Sequence, residues 1–546
     1  MGRTPAIPRV EHADGSGAPG DALLQCVRRA DFRFLLPDPR LGSVAILGEP
    51  PADLLEALRA LGARVHLLDA RGGGLAEDSA RHDLVLAPGA SREQVARAQR
   101  LLRPGGHLYV EARRGSAMGL AATARRMGLR VATHWHWPDF ARALEIAPLD
   151  DPGALRHAFS RRRSRRSSRA RAWLARGLAR AGAMPRLAPC VSVLARKEGA
   201  DGAPASGVLH FLEANRERLG LARLGIDGPP SALLVTPRFR ASRHVVFLVS
   251  ARGAANPLLV AKLPRLAEVA TLAREAGNLR AIQERGVAFA SIPRVIAFEA
   301  CGDRPILVET ALAGSALDGA AVRRDLGPWC RAVGNWLVEL ARSAPRASLD
   351  PEGFERLVEG PLDALARLAS LSSEEARAIE HTRALAARLR GRRTPVVFEH
   401  GDFAPPNVLQ LRGGGIGVLD WELAEPRGLA AGDLFFFLTW VAWARERATS
   451  CEARDRAFRR AFFGPGAWAR PFVLDYAREL ELPLDALPPL FALTWARTLA
   501  RLVDRLDGAA RPFAHGSSEW LRQNRYYAAW RHSLAHLDDL RWSDAP

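Results

Sequence analysis

The sequence predicts two folded parts of different class, an α/β part followed by an α+β part, and three observations carry that prediction. Over residues 43–111, strand-length apolar runs alternate with runs of helical spacing, the pattern of a parallel, doubly wound sheet of Rossmann type. Between residues 231 and 309 strand candidates dominate; from 318 onward the spacing is helical, interrupted by one apolar, glycine-rich stretch at 396–422. A Gly/Ala/Pro/Ser run at 198–207, EGADGAPASG, separates the two parts and reads as a linker.

At 546 residues the chain exceeds a single ordinary core. With 48% apolar and 25% charged residues it has the composition of a soluble globular protein. The longest charge-free apolar run considered, Leu434–Ala444, is eleven residues and suits a buried helix; about 18 are needed to span a bilayer. The opening residues carry no apolar signal region. Cys26, Cys190, Cys301, Cys330 and Cys451 are scattered without metal-type spacing, so reduced thiols and a cytoplasmic location are expected. The net charge of +19 is unevenly held: Pro152–Lys197 contains thirteen arginines and lysines and no acid. This is a near-balanced protein with a basic segment at 156–186.

The first part is expected over 1–197. Ser43–Leu47 is a strand, Pro51–Leu61 a helix on the spacing of Leu54, Leu55, Leu58 and Leu61, and Arg64–Leu68 the next strand, ending in Asp69. His82–Leu86, a helix at 91–102 and the strand His107–Glu111 follow, and Cys190–Ala195 closes the set. The run LLRPGGHLYVE, together with Asp69 at the end of the second strand, resembles class I S-adenosylmethionine-dependent methyltransferases. That resemblance implies a ribose-binding role for Asp69. The loop after the first strand, Gly48-Glu49-Pro50-Pro51, departs from it: prolines remove N–H donors where a glycine-rich turn lets backbone approach a cofactor. A degenerate domain kept for scaffolding or recognition is therefore expected, with S-adenosylmethionine chemistry as the alternative.

Residues 160–182, SRRRSRRSSRARAWLARGLARAG, set Trp173, Leu174 and Leu178 on one helical face with arginines elsewhere. An anionic membrane surface is one partner such a helix fits, and a solvated excursion is the bland reading. No zinc-finger, RRM or helix-turn-helix pattern supports a nucleic acid.

In the second part, Ser231–Thr236, His244–Val249, Pro257–Leu263 and Pro305–Glu309 are strand candidates, and a helix runs from about 267 to 285. Only two lysines occur in this arginine-rich chain, Lys197 and Lys262, and Lys262 lies on the third of these strands, thirteen residues before Glu275 on the helix. A buried lysine needs such a carboxylate partner. The stretch VVFEHGDFAPPNVLQLRGGGIGVLDWE then places Asp402 five residues before Asn407, and Asp420 thirteen residues further on, beyond a Gly413–Gly415 hairpin turn. Oxygen ligands in this order suit Mg²⁺.

With HGDFxPxN and DWE as they stand, the stretch resembles the aminoglycoside phosphotransferase/choline kinase family. The resemblance implies a bilobal protein-kinase-like fold, with an N-lobe over 208–314 and a helical C-lobe over 315–546. It implies an enzyme moving the γ-phosphate of ATP to a hydroxyl of a small molecule, whether sugar, amino alcohol or lipid-linked precursor. Asp402 would be the base, Asn407 and Asp420 the Mg²⁺ ligands, and Lys262 with Glu275 the phosphate grip. Ser242 would contribute to that grip, and backbone near Glu309–Ala311 would meet adenine. His400 takes a structural role in the loop, Trp421 a core position, and Glu422 and Asp433 helix capping. A binding or scaffold protein without chemistry is the alternative. The last helices mix Arg497, Arg501 and Arg505 with Asp504 and Asp507, no acidic cluster for a cationic acceptor.

Overall fold

The computed structural model describes residues 21–69, 81–113, 115–162, 188–199, 206–237, 242–267, 270–285, 291–343, 347–368, 371–507, 521–522 and 524–540, with Gly177, Pro345 and Trp542. Among them the chain forms two compact units. One comprises Asp21–Leu272 with Val295–Ala311, the other Ala273–Arg294 with the residues from Leu312 onward. The basic run at 160–182 falls almost wholly outside the described residues.

The first unit is built on one twelve-stranded sheet. Its strands are β1 (Ser43–Leu47), β2 (Arg64–Leu68), β3 (His82–Leu86), β4 (Leu102–Arg113), β5 (Arg130–Trp137), β6 (Glu145–Pro148), β7 (Cys190–Arg196), β8 (Pro230–Val235), β9 (His244–Ala251), β10 (Leu259–Pro264), β11 (Val295–Cys301) and β12 (Arg304–Thr310). The order across the sheet is β11-β12-β10-β9-β8-β6-β5-β7-β4-β3-β1-β2. The expected parallel pairing holds for β2-β1-β3-β4. From β7 onward every pairing is antiparallel, so the sheet is mixed rather than doubly wound throughout. For β5 and β6 connection length decides the direction. A parallel pair needs a crossover of a dozen residues or so, and β5 reaches its neighbour β6 through residues 138–144 alone.

Strands buried on both faces need two cores, and side chains of period two supply them. Val44 and Ile46 join one core, which continues through Leu84, Leu86 and Tyr109 to Phe247, Val249, Leu259, Ala261 and Ile306. Ala45 and Leu47 join the other, with Val85, Leu108, Val110 and Val193. The sheet and its first core therefore cross the expected linker: β6 pairs with β8 at Glu145↔Val235 and Ile146↔Leu234. An ion pair makes the same connection. Arg265, fully buried, sets its Nε 3.0 Å from Asp31 Oδ2.

In the second unit β13 (Gly314–Ala316), β15 (Val408–Leu411) and β16 (Ile416–Val418) form one small antiparallel sheet, and β14 (Val396–Glu399) pairs with β17 (Glu425–Leu429). The β15–β16 hairpin turns through Gly414 and Gly415 at φ of 90° and 76°, conformations open to glycine. Helices make up the remainder, among them Leu326–Arg342, Gly432–Glu446, Cys451–Phe462, Leu487–Asp507 and Arg525–Ala535. The helix Ala270–Gln283 passes from the first unit into the second. No described helix is long and apolar enough to cross a membrane.

Candidate active site

Strand β14 runs straight into the His400-Gly401-Asp402 turn, and the turn is held by side chains from distant helices. Gly401 has φ of 82°, and a Cβ there would lie 2.4 Å from Leu423 O, so only glycine fits. Asp433 accepts the backbone N–H of His400 at 2.6 Å and of Gly401 at 2.9 Å. Helix capping was its expected role; its carboxylate caps the loop instead, because the helix enters through Ala431 in a left-handed conformation and turns Asp433 inward. Burial and the charge of Glu399 push Asp433 up to about 7, against the pull of the two N–H groups.

Glu399, the residue before the turn, is buried and faces two guanidiniums. Arg497 donates to both its oxygens at 3.0 and 2.8 Å, and Arg501 donates to Oε1 at 2.9 Å and to Gly401 O at 3.1 Å. Burial works to raise the Glu399 carboxyl; Arg497 and Arg501 reverse this and bring it to about 2. Gly428 leaves room for it, since a Cβ there would meet Glu399 Cβ at 2.4 Å.

His400 is fully buried between Trp421 and Phe403, ring centroids 4.8 and 5.4 Å away. Asp402 N–H donates to Nδ1 at 3.2 Å, and Nε2 lies 2.9 Å from Leu419 O, a pattern that assigns a neutral ring protonated at Nε2. Burial lowers the imidazole to about 4. His400 thus ties the loop bearing Asp402 to the strand end bearing Asp420, the structural role expected of it.

Asn407 closes the loop. Its side-chain Nδ2 donates to Asp402 O at 2.9 Å, and its backbone carbonyl accepts Leu419 N–H at 2.9 Å. With the nitrogen so used, Oδ1 is the end left for a cation. Asp420 has φ of 68°, a rare conformation for a residue with a side chain. Asp402, Asn407 and Asp420 are all partly exposed, in a neighbourhood where Trp421 and Phe403 are fully buried. An Asn oxygen and a carboxylate form a hard donor set, and the residues fit Mg²⁺.

The turn after Asp420 is clamped from the helix Ala270–Gln283. Glu275 accepts Trp421 N–H at 3.3 Å, and Asn278 donates to Trp421 O at 2.8 Å and Ala424 O at 3.1 Å. Spacing of three residues puts Glu275 and Asn278 on one helix face.

Of the residues expected to meet the nucleotide, four lie in the first unit. Lys262 Nζ stands 3.1 Å from Glu309 Oε1, both buried. The carboxylate thus found beside the lysine is the one expected only to lend its backbone to adenine. It gets there because β10 and β12 pair with Val260 opposite Glu309 and Lys262 opposite Leu307, which brings the two side chains close on one face. Ala311 N–H, expected to face adenine, donates to Leu258 O at 2.9 Å and is already engaged within the fold. Ser242 is bound into its turn: its carbonyl accepts Arg265 at 2.8 Å and Arg28 at 3.2 Å. In the loop after β1, Gly48 takes φ of 88° and donates to Leu68 O at 3.0 Å.

Sequence reasoning missed Glu399, Asp433 in its loop role, Arg497, Arg501 and Asn278. The one signal for Glu399 was a carboxylate inside the apolar run 396–398 that leads to the turn; its partners lie 98 and 102 residues on, beyond any local pattern.

Residues 239–472 match the model of the phosphotransferase enzyme family. Solved structures similar to this chain include the amicoumacin kinase hAmiN in complex with AMP-PNP, Ca²⁺ and Ami, at 15% identity over 59% of this chain and 96% of that one, TM-score 0.37. Aminoglycoside phosphotransferase APH(4)-Ia matches at 14% identity over 58% and 98%, TM-score 0.36. A choline/ethanolamine kinase family protein from Mesorhizobium loti matches at 16% identity over 59% and 99%, TM-score 0.31. Comparison with curated protein sequences gave no match.

Proposed function

We propose that this chain, whose residues 239–472 match the phosphotransferase enzyme family, transfers the γ-phosphoryl group of ATP to a hydroxyl of a small molecule. The observation that carries the reading is the braced loop. Asp402, Asn407 and Asp420 are partly exposed on backbone fixed by buried groups, the preorganisation phosphoryl transfer requires.

In this reading the Asp402 carboxylate accepts the proton of the acceptor hydroxyl. The acceptor oxygen forms a bond to the γ-phosphorus as the bond to the β-phosphate oxygen breaks, and ADP leaves. Asn407 Oδ1 and the Asp420 carboxylate would hold Mg²⁺, which would supply neutralisation of the ATP phosphate charge. Lys262, 3.1 Å from Glu309, would offer a cation to the ATP phosphates, and Glu275 holds the turn that follows Asp420.

The test is ADP formation by the purified chain across a panel of sugars, amino alcohols and phosphorylated polyols, with Mg²⁺-dependent thermal stabilisation by nucleotide measured alongside. Asp402→Asn is expected to lower kcat by about 10²–10⁴-fold while nucleotide stabilisation persists. Asp420→Ala is expected to abolish the Mg²⁺ dependence of that stabilisation. Absence of any nucleotide effect in the wild-type chain would return the protein to a binding or scaffold role.

A further inference from the structure

In the second unit, a small cavity of about 50 Å³ is bordered by Trp443, Arg454, Asp455, Arg522, Asn524 and Arg525. Three guanidiniums thus face one carboxylate. That carboxylate, Asp455, is already 2.6 Å from Arg459, and Arg522 is 2.9 Å from Glu375. Arg454 and Arg525 rest on rings instead. The Arg525 guanidinium carbon is 4.4 Å from the Trp440 ring centre, 4.9 Å from that of Tyr526 and 5.3 Å from that of Trp443; Arg454 lies 6.0 Å from that of Trp443. A guanidinium stacked on a ring is oriented by its face, and the N–H groups that Arg525 does not spend on the Tyr526 hydroxyl can meet an oxyanion. Two helices also begin here. Ser450 caps Cys451–Phe462 by accepting Ala453 N–H at 3.2 Å, and Asn524 caps Arg525–Ala535 by accepting Tyr526 N–H at 2.9 Å. Their positive ends add to the arginines.

Ring packing through the 432–446 helix connects this cluster to the loop that bears Asp402. Phe403, next to Asp402, packs on Phe437 of the 432–446 helix at 6.1 Å, and Phe436 and Trp443 of that helix pack on Tyr526 at 5.4 and 6.0 Å. Burial pushes the Tyr526 hydroxyl up to about 12; Arg525 opposes the shift, and the Asp402 carboxylate adds to it.

We propose that Arg454, Arg522 and Arg525 form an oxyanion subsite that takes the phosphate or carboxylate group of the acceptor whose hydroxyl meets Asp402. The acceptor class is then an anionic hydroxyl compound. An ammonium group brought to this cavity would meet like charge, which excludes amino alcohols and aminoglycosides from it. The hydroxyl half of the inference rests on the phosphotransferase reading; the anion half stands on the cavity alone.

The experiment is titration of the full chain with inorganic phosphate, with and without saturating Mg²⁺-ADP, against sodium chloride at matched ionic strength and against acetate. Phosphate is expected to bind beyond the chloride control. Arg454→Gln and Arg525→Gln are each expected to weaken it at least fivefold, with Mg²⁺-ADP stabilisation unchanged; Arg525→Lys, which keeps the charge, guards against a folding defect. Acetate binding as tightly as phosphate would identify a carboxylate site. Phosphate affinity within twofold of wild type in both glutamine variants would overturn the subsite while leaving the phosphotransferase reading intact. Loss of phosphate binding in the variants, with no Mg²⁺-ADP effect even in wild type, would retain the subsite and remove the phosphotransferase reading. In ADP formation, glycerol phosphate is expected to exceed glycerol and choline; turnover of choline alone would overturn the acceptor class.

Discussion

Glu399 carries a full charge in the interior, one residue before the loop that bears Asp402, and two arginines neutralise it. Breaking a buried ion pair from one side leaves an uncompensated charge, at about 3–5 kcal/mol. Glu399→Gln keeps the shape and removes the charge, so it is expected to lose stability of that order in urea unfolding and to loosen the Gly401 carbonyl that Arg501 holds. His400 adds a pH dependence of definite sign. Its folded value of about 4 lies below the unfolded value of about 6.5, so the unfolded chain binds more protons between them. Its contribution is present above about pH 6.5 and is lost as pH falls toward 4. Asp433, raised to about 7, has the opposite sign across the whole of that window, since the folded state there binds the extra proton. Comparing wild type with His400→Gln isolates the histidine: the wild-type advantage in unfolding free energy is expected to shrink from pH 7 to pH 4. A constant difference across that range would mean the ring is not neutral.

Among elements, the helix Ala270–Gln283 links sequence and site most directly. Its Asn278 holds two carbonyls of the turn after Asp420. Asn278→Leu is expected to cost about 1–3 kcal/mol by leaving those carbonyls without their donor. It is also expected to weaken Mg²⁺-dependent nucleotide stabilisation, whereas the same loss of stability elsewhere in the helix should not. What was legible in the sequence follows from range. β1, β2 and β3 lie where their apolar runs put them, and the Gly413–Gly415 hairpin follows from local turn chemistry. β5, RVATHWHW, escaped notice because histidines occupy its buried positions, and β17, EPRGL, because proline and glycine argue against a strand. The candidate set Asp402, Asn407, Asp420 stands out in the sequence because its spacing is local. The partners of Glu399, Asp433 and Lys262 depend on how distant elements pack, and no spacing rule reaches them.

At the scale of the whole molecule, the run at 198–207 reads as a linker, yet the chain on either side of it shares one sheet and one core. β8 takes β6 as its neighbour, and fully buried Arg265 at the end of β10 takes Asp31. A chain beginning at Ser206 would keep the region matched to the phosphotransferase family and lose both partners. β8 would present an unpaired edge, a template for aggregation. Arg265 would be left as a buried cation without its carboxylate, at about 3–5 kcal/mol. Such a chain is therefore expected to express largely as insoluble or associating protein, while the full chain stays monodisperse. Asp31→Asn in the full chain separates the two effects: it is expected to lower stability without exposing the β8 edge, so loss of stability should appear without association. A chain from 206 that is monodisperse, with the thermal midpoint of the intact protein, would show that the first two hundred residues are not part of the folding unit of the family-matched region. Loss of solubility on truncation, with the asparagine variant soluble but less stable, would make them part of its folding unit.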